Sequence, residues 1–395
     1  HQDLHLSIRR QRQMCIRDRI NVEHVAVKIA GEVRDFNPTA YIEPKEARRM
    51  GRSPQFAVAG AHLAIQDAGL TIAEIENEGE RVAVCIGTTL GAHEMAEQST
   101  FKYKTTNYRK PNPLNLINSL PNMPGHYVSR YFRALGPLIT PSTACASGTQ
   151  AVGEASELIK RGSADMVITG GVESVLQDYA LAGFDAMDAL ATGYNDTPEI
   201  ASRPFDRTRN GFVFSEGCAV LIVESLAHAL ARGARIYAEV LGHASSSDAY
   251  HIAALDPEGK GAMRAMKWAL QDAHINPDDI GYINAHGSST QANDAMETLA
   301  IKQVFGEQAY NIPISATKSM LGHALGASGT LEIVACVMSL VDQVLHPTIN
   351  YHEPDPACDL DYVPNVARDV NGLKTVISNS FGLGGQNASI VLGAF

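Results

Sequence analysis

Short apolar runs alternate with longer stretches in which small and apolar residues recur at helical spacing, from Asn21 to the C-terminus. Residues 165–171 and 218–224 are too continuously apolar for strands with one face in water, which predicts strands in a sheet covered on both sides. A helix is predicted over 53–68, opened by Ser-Pro, then strands over 81–88 and 136–140 and a helix over 149–160. After Ala234 the pattern restarts. Strands over 235–243, 279–284 and 312–316 alternate with helices over 259–273, 292–305 and 324–342, and strands over 374–380 and 387–392 close the chain. This is the grammar of an α/β layered fold. It predicts two halves, 21–234 and 235–395, built as one unit used twice, with the active site where they meet. Residues 1–20, with Arg9-Arg10-Gln11-Arg12, carry no such period and are expected to be an atypical N-terminal segment.

A chain of 395 residues with 45% hydrophobic content can bury a large core. The net charge of −11 argues against nucleic acid or an anionic membrane as partner. Six cysteines stand without Cys-x-x-Cys pairs or histidine spacing, so neither a disulfide framework nor a metal site is expected, and a cytoplasmic location fits. No run of 18 apolar residues is read in the chain, so no membrane span is expected.

Candidate chemistry gathers at four places. Cys145, in Thr143-Ala144-Cys145-Ala146-Ser147-Gly148, lies between a predicted strand and a predicted helix. Unpaired N–H groups at that helix start would favour a thiolate nucleophile and lower its pKa, although a lone cysteine also serves as a small buried hydrophobe. His286, in Asn284-Ala285-His286-Gly287-Ser288-Ser289-Thr290, follows a strand and precedes a helix bearing Asp294 and Glu297, so it is either aimed out of the sheet or a helix cap. Lys318 and His323 share a strand-to-helix junction with Gly322, Gly326 and Gly329, a glycine density that suggests close backbone approach. The turn Phe381-Gly382-Leu383-Gly384-Gly385 reads as a tight hairpin or as a source of free N–H groups for an oxyanion.

Together the Thr-Ala-Cys-Ala-Ser-Gly, Asn-Ala-His-Gly, Lys-Ser-x-x-Gly-His and Asn-Ser-Phe-Gly-x-Gly-Gly-x-Asn motifs, with Arg203-Pro204-Phe205-Asp206, strongly resemble the elongating β-ketoacyl-[acyl-carrier-protein] synthases of the type II kind. The resemblance runs from about Asn21 to Phe395. It implies a thiolase-like fold, two pseudo-twofold halves layered α-β-α-β-α. It also implies decarboxylative condensation of an acyl thioester with a malonyl group held on acyl carrier protein. In that role Cys145 accepts the acyl group, His286 and His323 serve decarboxylation, and Lys318 organises the site with Glu332 as its partner. The N–H groups of Cys145 and Leu383 form the oxyanion hole, and Ser288, Thr290, Phe381 and Leu383 meet the substrate. No cofactor is implied beyond the carrier's phosphopantetheine arm. The partners implied are acyl carrier protein and a second subunit, in a homodimer or a heterodimer with a chain-length partner. Lys45, Arg48, Arg49, Arg130 and Arg133 are the candidates for a basic patch that meets the acidic carrier.

Two departures stand out. The family opens with an apolar strand where residues 1–19 stand here, so a strand of the first half is expected to be missing or replaced. Its usual second aromatic in the closing turn is Leu383, which predicts altered selectivity for acyl length. Three rival readings remain: the ketosynthase α subunit of a type II polyketide or specialised acyl pathway, a thiolase, and a non-catalytic chain-length partner. A thiolase needs a second cysteine near the closing turn, and none lies between Phe381 and Asn387; Cys145 itself speaks against a non-catalytic partner.

Overall fold

The computed structural model describes residues 22–395; the segment 1–20, with Cys15, lies outside the described residues. Four strands form the first sheet, in the order β2 (Leu138–Ile139), β1 (Val82–Gly87), β3 (Met166–Glu173), β4 (Gly217–Glu224). Five form the second: β5 (Glu239–Ser247), β11 (Gln386–Gly393), β10 (Thr375–Gly382), β6 (Tyr282–Asn284), β7 (Ile314–Ser315). A small ribbon pairs β8 (Val344–Leu345) with β9 (Arg368–Asp369). In the first sheet β1 is parallel to β2 and β3, and β3 is antiparallel to β4. The second sheet repeats this: β6 is parallel to β7 and β10, and β10 is antiparallel to β11. Its additional strand, β5, pairs antiparallel with β11. Among the described residues β4 has no such neighbour. A cavity of about 500 Å³ runs between β4 and β5, and no residue expected to do chemistry lines it.

The helices that frame the sheets and their edges include α1 (Arg52–Asp67), α2 (His93–Thr105), α3 (Pro113–Asn118), α4 (Met123–Phe132), α5 (Ser147–Lys160), α6 (Lys260–Ala273), α7 (Gln291–Phe305) and α8 (Ser328–Asp342). The pleat of β1 sorts its side chains. Val82, Val84 and Ile86 pack on α1 and α4, whereas Ala83 and Cys85 pack on α5. α5 touches strands of both sheets, as does α8, so these two helices form a middle layer. With α6 against the second sheet, the order is helix, sheet, helix, sheet, helix, as the resemblance implies. The middle helices meet backbone to backbone. A Cβ at Gly148 would lie 2.7 Å from the Gly326 carbonyl oxygen, and one at Gly329 would lie 2.1 Å from Thr149 Oγ1.

Three expectations change. The strand expected over 136–140 shrinks to Leu138–Ile139, because Pro137 and Pro141 flank it and bring no N–H to the ladder. The strand expected over 235–243 instead occupies Glu239–Ser247, the stretch that the length of β11 opposes. Contrary to the absence of a spanning run, residues Leu325–Asp342 are long and apolar enough to cross a membrane. They include α8, whose apolar surface is covered by both sheets in the middle layer, and 61% of that window is buried.

Candidate active site

Cys145 sits in a three-residue 3-10 turn, Ala144–Ala146, that runs directly into α5. Ala144 reaches it through a left-handed backbone, φ 49°, a conformation that costs an alanine about 1–3 kcal/mol and turns the chain sharply out of the sheet. The Cys145 sulfur lies 3.1 Å from His323 Nε2, and the rings of His323 and His286 stand edge to face with centroids 5.3 Å apart. One thiol and two imidazoles, far apart in sequence, therefore share one chamber. Phe212 closes over His323 at 5.2 Å, and Phe381 flanks His286 at 5.9 Å.

Partners set the tautomers. Lys318 Nζ donates to the His286 carbonyl oxygen at 2.6 Å, faces His286 Nδ1 at 3.3 Å, and is ion-paired with Glu332 inside the core. An ammonium facing Nδ1 leaves the His286 proton on Nε2. His323 Nδ1 meets Ser328 Oγ at 3.0 Å, and a hydroxyl both donates and accepts, so either tautomer of His323 is satisfied. Burial, reinforced by the Lys318 charge, holds both imidazoles well below the usual histidine pKa, so both are neutral near pH 7.

The thiol departs from expectation. Burial pushes Cys145 up to about 11, against the Lys318 charge and the N–H groups of Leu383 and Cys145, which pull it down. The resting group is a thiol beside a neutral base rather than a thiolate made by the helix start, because the chamber removes it from water. Those two N–H groups lie beside the sulfur. The closing turn is pressed onto the elbow: a Cβ at Gly382 would lie 3.2 Å from Cys145 N and 3.0 Å from the Thr143 carbonyl oxygen.

Residues 9–229 match the model of the β-ketoacyl synthase N-terminal domain, and residues 237–352 match that of the β-ketoacyl synthase C-terminal domain. The chain belongs to the β-ketoacyl synthase family. It is 45% identical over 95% of its length, and 90% of the relative's, to 3-oxoacyl-[acyl-carrier-protein] synthase 2 of Staphylococcus aureus. It is 44% identical over 94% of its length, and 88% of the relative's, to the protein of that name from Synechocystis. A β-ketoacyl synthase from Burkholderia phymatum superposes with a TM-score of 0.90 at 34% identity, covering 100% of this chain and 95% of that one. A type II polyketide synthase acyl-carrier protein in complex with its ketosynthase gives a TM-score of 0.85 at 36% identity, covering 94% and 88%. These likenesses carry the thiolase-like fold.

Within this β-ketoacyl synthase the remaining expected residues take several positions. Ser288 Oγ lies 2.9 Å from Thr290 Oγ1, and Thr290 also accepts from Asn293 N, so it caps α7. Phe381 is buried and Leu383 is 38% exposed at the chamber's rim. Asp294 and Glu297, read from the sequence only as residues of the following helix, hold the histidine loop. Glu297 accepts the N–H groups of His286 and Gly287, each at 2.8 Å, and Asp294 accepts those of Phe205 and Ser289. Their signal is a polar stripe, Asn293, Asp294, Glu297 and Thr298, on the buried face of a helix. Of the basic patch, Arg130 pairs with Glu46 and Arg133 with Glu76; Lys45, Arg48 and Arg49 are exposed. Away from the chamber, Glu157, His243 and Asp272 have metal-ligating atoms in mutual reach, but the Lys160 ammonium bridges the two carboxylates at 3.0 Å each.

Proposed function

We propose that this chain is a 3-oxoacyl-[acyl-carrier-protein] synthase of fatty-acid elongation, with Cys145 as acyl acceptor and His286 and His323 as the decarboxylation pair. The observation that carries this reading is the 3.1 Å contact of the thiol with one of two neutral, facing imidazoles. Cys145 attacks the thioester carbonyl of an acyl carrier while its proton passes to His323 Nε2. The N–H groups of Cys145 and Leu383 hold the oxyanion, each such donor contributing about 3 kcal/mol. The C–S bond to the carrier breaks, and the departing thiolate takes the proton from His323. Malonyl carrier then enters. Its bond to the carboxylate breaks, CO₂ leaves, and the enolate oxygen receives hydrogen bonds from Nε2–H of both histidines, the Ser328 hydroxyl now donating to His323 Nδ1. The enolate carbon attacks acyl-Cys145, the 3-ketoacyl carrier forms, and the freed sulfur regains a proton from solvent.

Lys318 and Glu332 act by fixing His286, and Ser288 and Thr290 face the phosphopantetheine arm. Leu383 gates acyl entry. Acyl carrier protein is the partner, docking at exposed Lys45, Arg48 and Arg49, and the halves divide between 234 and 235. Exposed Phe101 and Leu116 on α2 and α3 and Leu138 on the edge strand β2 support a paired second subunit. A cytoplasmic site of action fits the five cysteines that are free among the described residues. The second reading, a ketosynthase α subunit of a polyketide or specialised acyl pathway, is favoured by the likeness to a ketosynthase in complex with a type II polyketide acyl-carrier protein. Incubation with acyl carriers of graded length and malonyl carrier separates them. Single two-carbon extensions by the chain alone are expected, whereas turnover only with an added chain-length partner would overturn the elongation reading.

A further inference from the structure

Glu173, the last residue of β3, is wholly buried, and among the described residues no cation pairs with it. Its carboxylate accepts from Thr89 N at 2.7 Å, Thr88 Oγ1 at 3.2 Å, Leu90 N at 3.3 Å and Gly326 N at 3.3 Å. A charge-bearing group taken out of water on neutral donors alone is costly, so its placement calls for a role.

The role follows from which segments it joins. Gly326 is the middle residue of the turn Leu325–Ala327, which runs into α8 just as Ala144–Ala146 runs into α5. Leu325 has a left-handed φ of 44° where Ala144 has 49°. The N–H of Gly326 is thus the counterpart of the N–H of Cys145: the Cys145 N–H faces the sulfur, and the Gly326 N–H is taken by Glu173. Three residues before Gly326 stands His323. On its other side Glu173 holds the 88–90 turn, from which Thr89 Oγ1 donates to the Ala144 carbonyl oxygen at 3.2 Å. One carboxylate therefore fastens both the segment entering the nucleophile and the segment leaving its base.

We propose that Glu173 is a positioning residue that occupies the N–H group of the second elbow as an internal acceptor and so sets the contact between Cys145 and His323. It touches neither substrate nor reacting atom, and its two acceptor oxygens, not its bulk, do the fastening: three backbone N–H groups and a hydroxyl converge on them, while burial pushes the carboxyl up to about 7. The inference rests on the condensation reading for its meaning, yet the contact can be read without turnover.

The test compares Glu173→Gln with wild type in two assays: alkylation of Cys145 by iodoacetamide, and steady-state condensation with acyl and malonyl carriers. Glutamine keeps the shape but turns one acceptor oxygen into a donor, so a space-filling role predicts rescue. The expected result is a kcat lower by about 100-fold, as for a reacting group displaced by about an ångström, with KM for malonyl carrier within about twofold. Alkylation of Cys145 slows in parallel with that of His323→Ala. Alkylation and kcat both within about twofold of wild type would overturn the proposal. If Glu173→Gln does not fold, Thr88→Val, which removes one donor and keeps the carboxylate, decides: a several-fold slower alkylation supports the proposal, and an unchanged rate overturns it. Absence of any condensation by wild type would strike at the condensation reading alone, because the alkylation comparison still stands.

Discussion

The two strand-to-helix elbows of this molecule, 144–149 and 325–330, share a backbone and differ in what they hold. Each is a three-residue turn entered through a left-handed residue and followed by Ser-Gly-Thr at the start of a middle-layer helix. The first presents a thiol and leaves its N–H toward the sulfur; the second has glycine at the matching place and gives its N–H to Glu173. The helices they open touch at Gly148 and Gly329, so neither elbow can move without the other. One doubled unit thus supplies the nucleophile from one copy and its base, His323, from the other. The difference teaches that the site depends on specialising the two elbows rather than on either alone.

The largest effect that can break this comparison comes from the imidazoles. His286→Ala and His323→Ala are each expected to lower CO₂ release from malonyl carrier by about 10²–10⁴-fold. Loss from only one of them would mean that a single ring carries the step. Next comes Lys318→Met. It leaves Glu332 buried without its cation, and the expected loss of stability is about 3–5 kcal/mol by denaturant unfolding. Adding Glu332→Leu should restore most of the stability but not the decarboxylation, because the His286 tautomer is still unset. Unrestored stability would show that the pair is not the cause.

Gly326→Ala sharpens the contrast between elbows. Its Cβ would lie 2.7 Å from Thr89 N and 2.8 Å from Glu173 Oε2, in space that is already filled. A loss of about 1–3 kcal/mol is expected in unfolding experiments, and a stability equal to wild type would show that the second elbow yields.

Acidification gives a smaller effect with a definite sign. Burial holds both histidines well below the 6.5 of an ordinary imidazole in the folded chain, so the unfolded chain binds protons first as pH falls. Stability is therefore expected to drop as pH falls below 6.5, and both histidine-to-alanine variants should lose less. An unchanged slope in the variants would place the protonation elsewhere. The smallest expected change is in Leu383→Phe, whose larger side chain at the rim should narrow the range of accepted acyl lengths with little change in rate for the preferred one. An identical product profile would remove Leu383 as the gate.

Much of this was legible in the residues. Cys145, His286, Lys318 and His323 each stood in a glycine-flanked junction between predicted elements, and the structure brings all four together. The repeat itself was also written: Cys145-Ala146-Ser147-Gly148-Thr149 against Gly326-Ala327-Ser328-Gly329-Thr330. It was hidden by the change of Cys to Gly at the position that matters most. The roles of Glu173 and Glu297 were not legible, because each works on N–H groups brought near it by folding, and a donor of that kind has no residue type. The raised pKa of the Cys145 thiol is hidden from the sequence for a related reason. A helix start is visible in sequence, but the burial that outweighs it is a property of both sheets.

The most direct test of the account is peptide-level mass spectrometry after exposure to an acyl carrier alone. The account predicts one acyl adduct, on the peptide bearing Cys145, which disappears when malonyl carrier is added and returns as a 3-ketoacyl carrier extended by the malonyl-derived unit. An adduct on another residue, or an acyl group on Cys145 that malonyl carrier leaves in place, would contradict it.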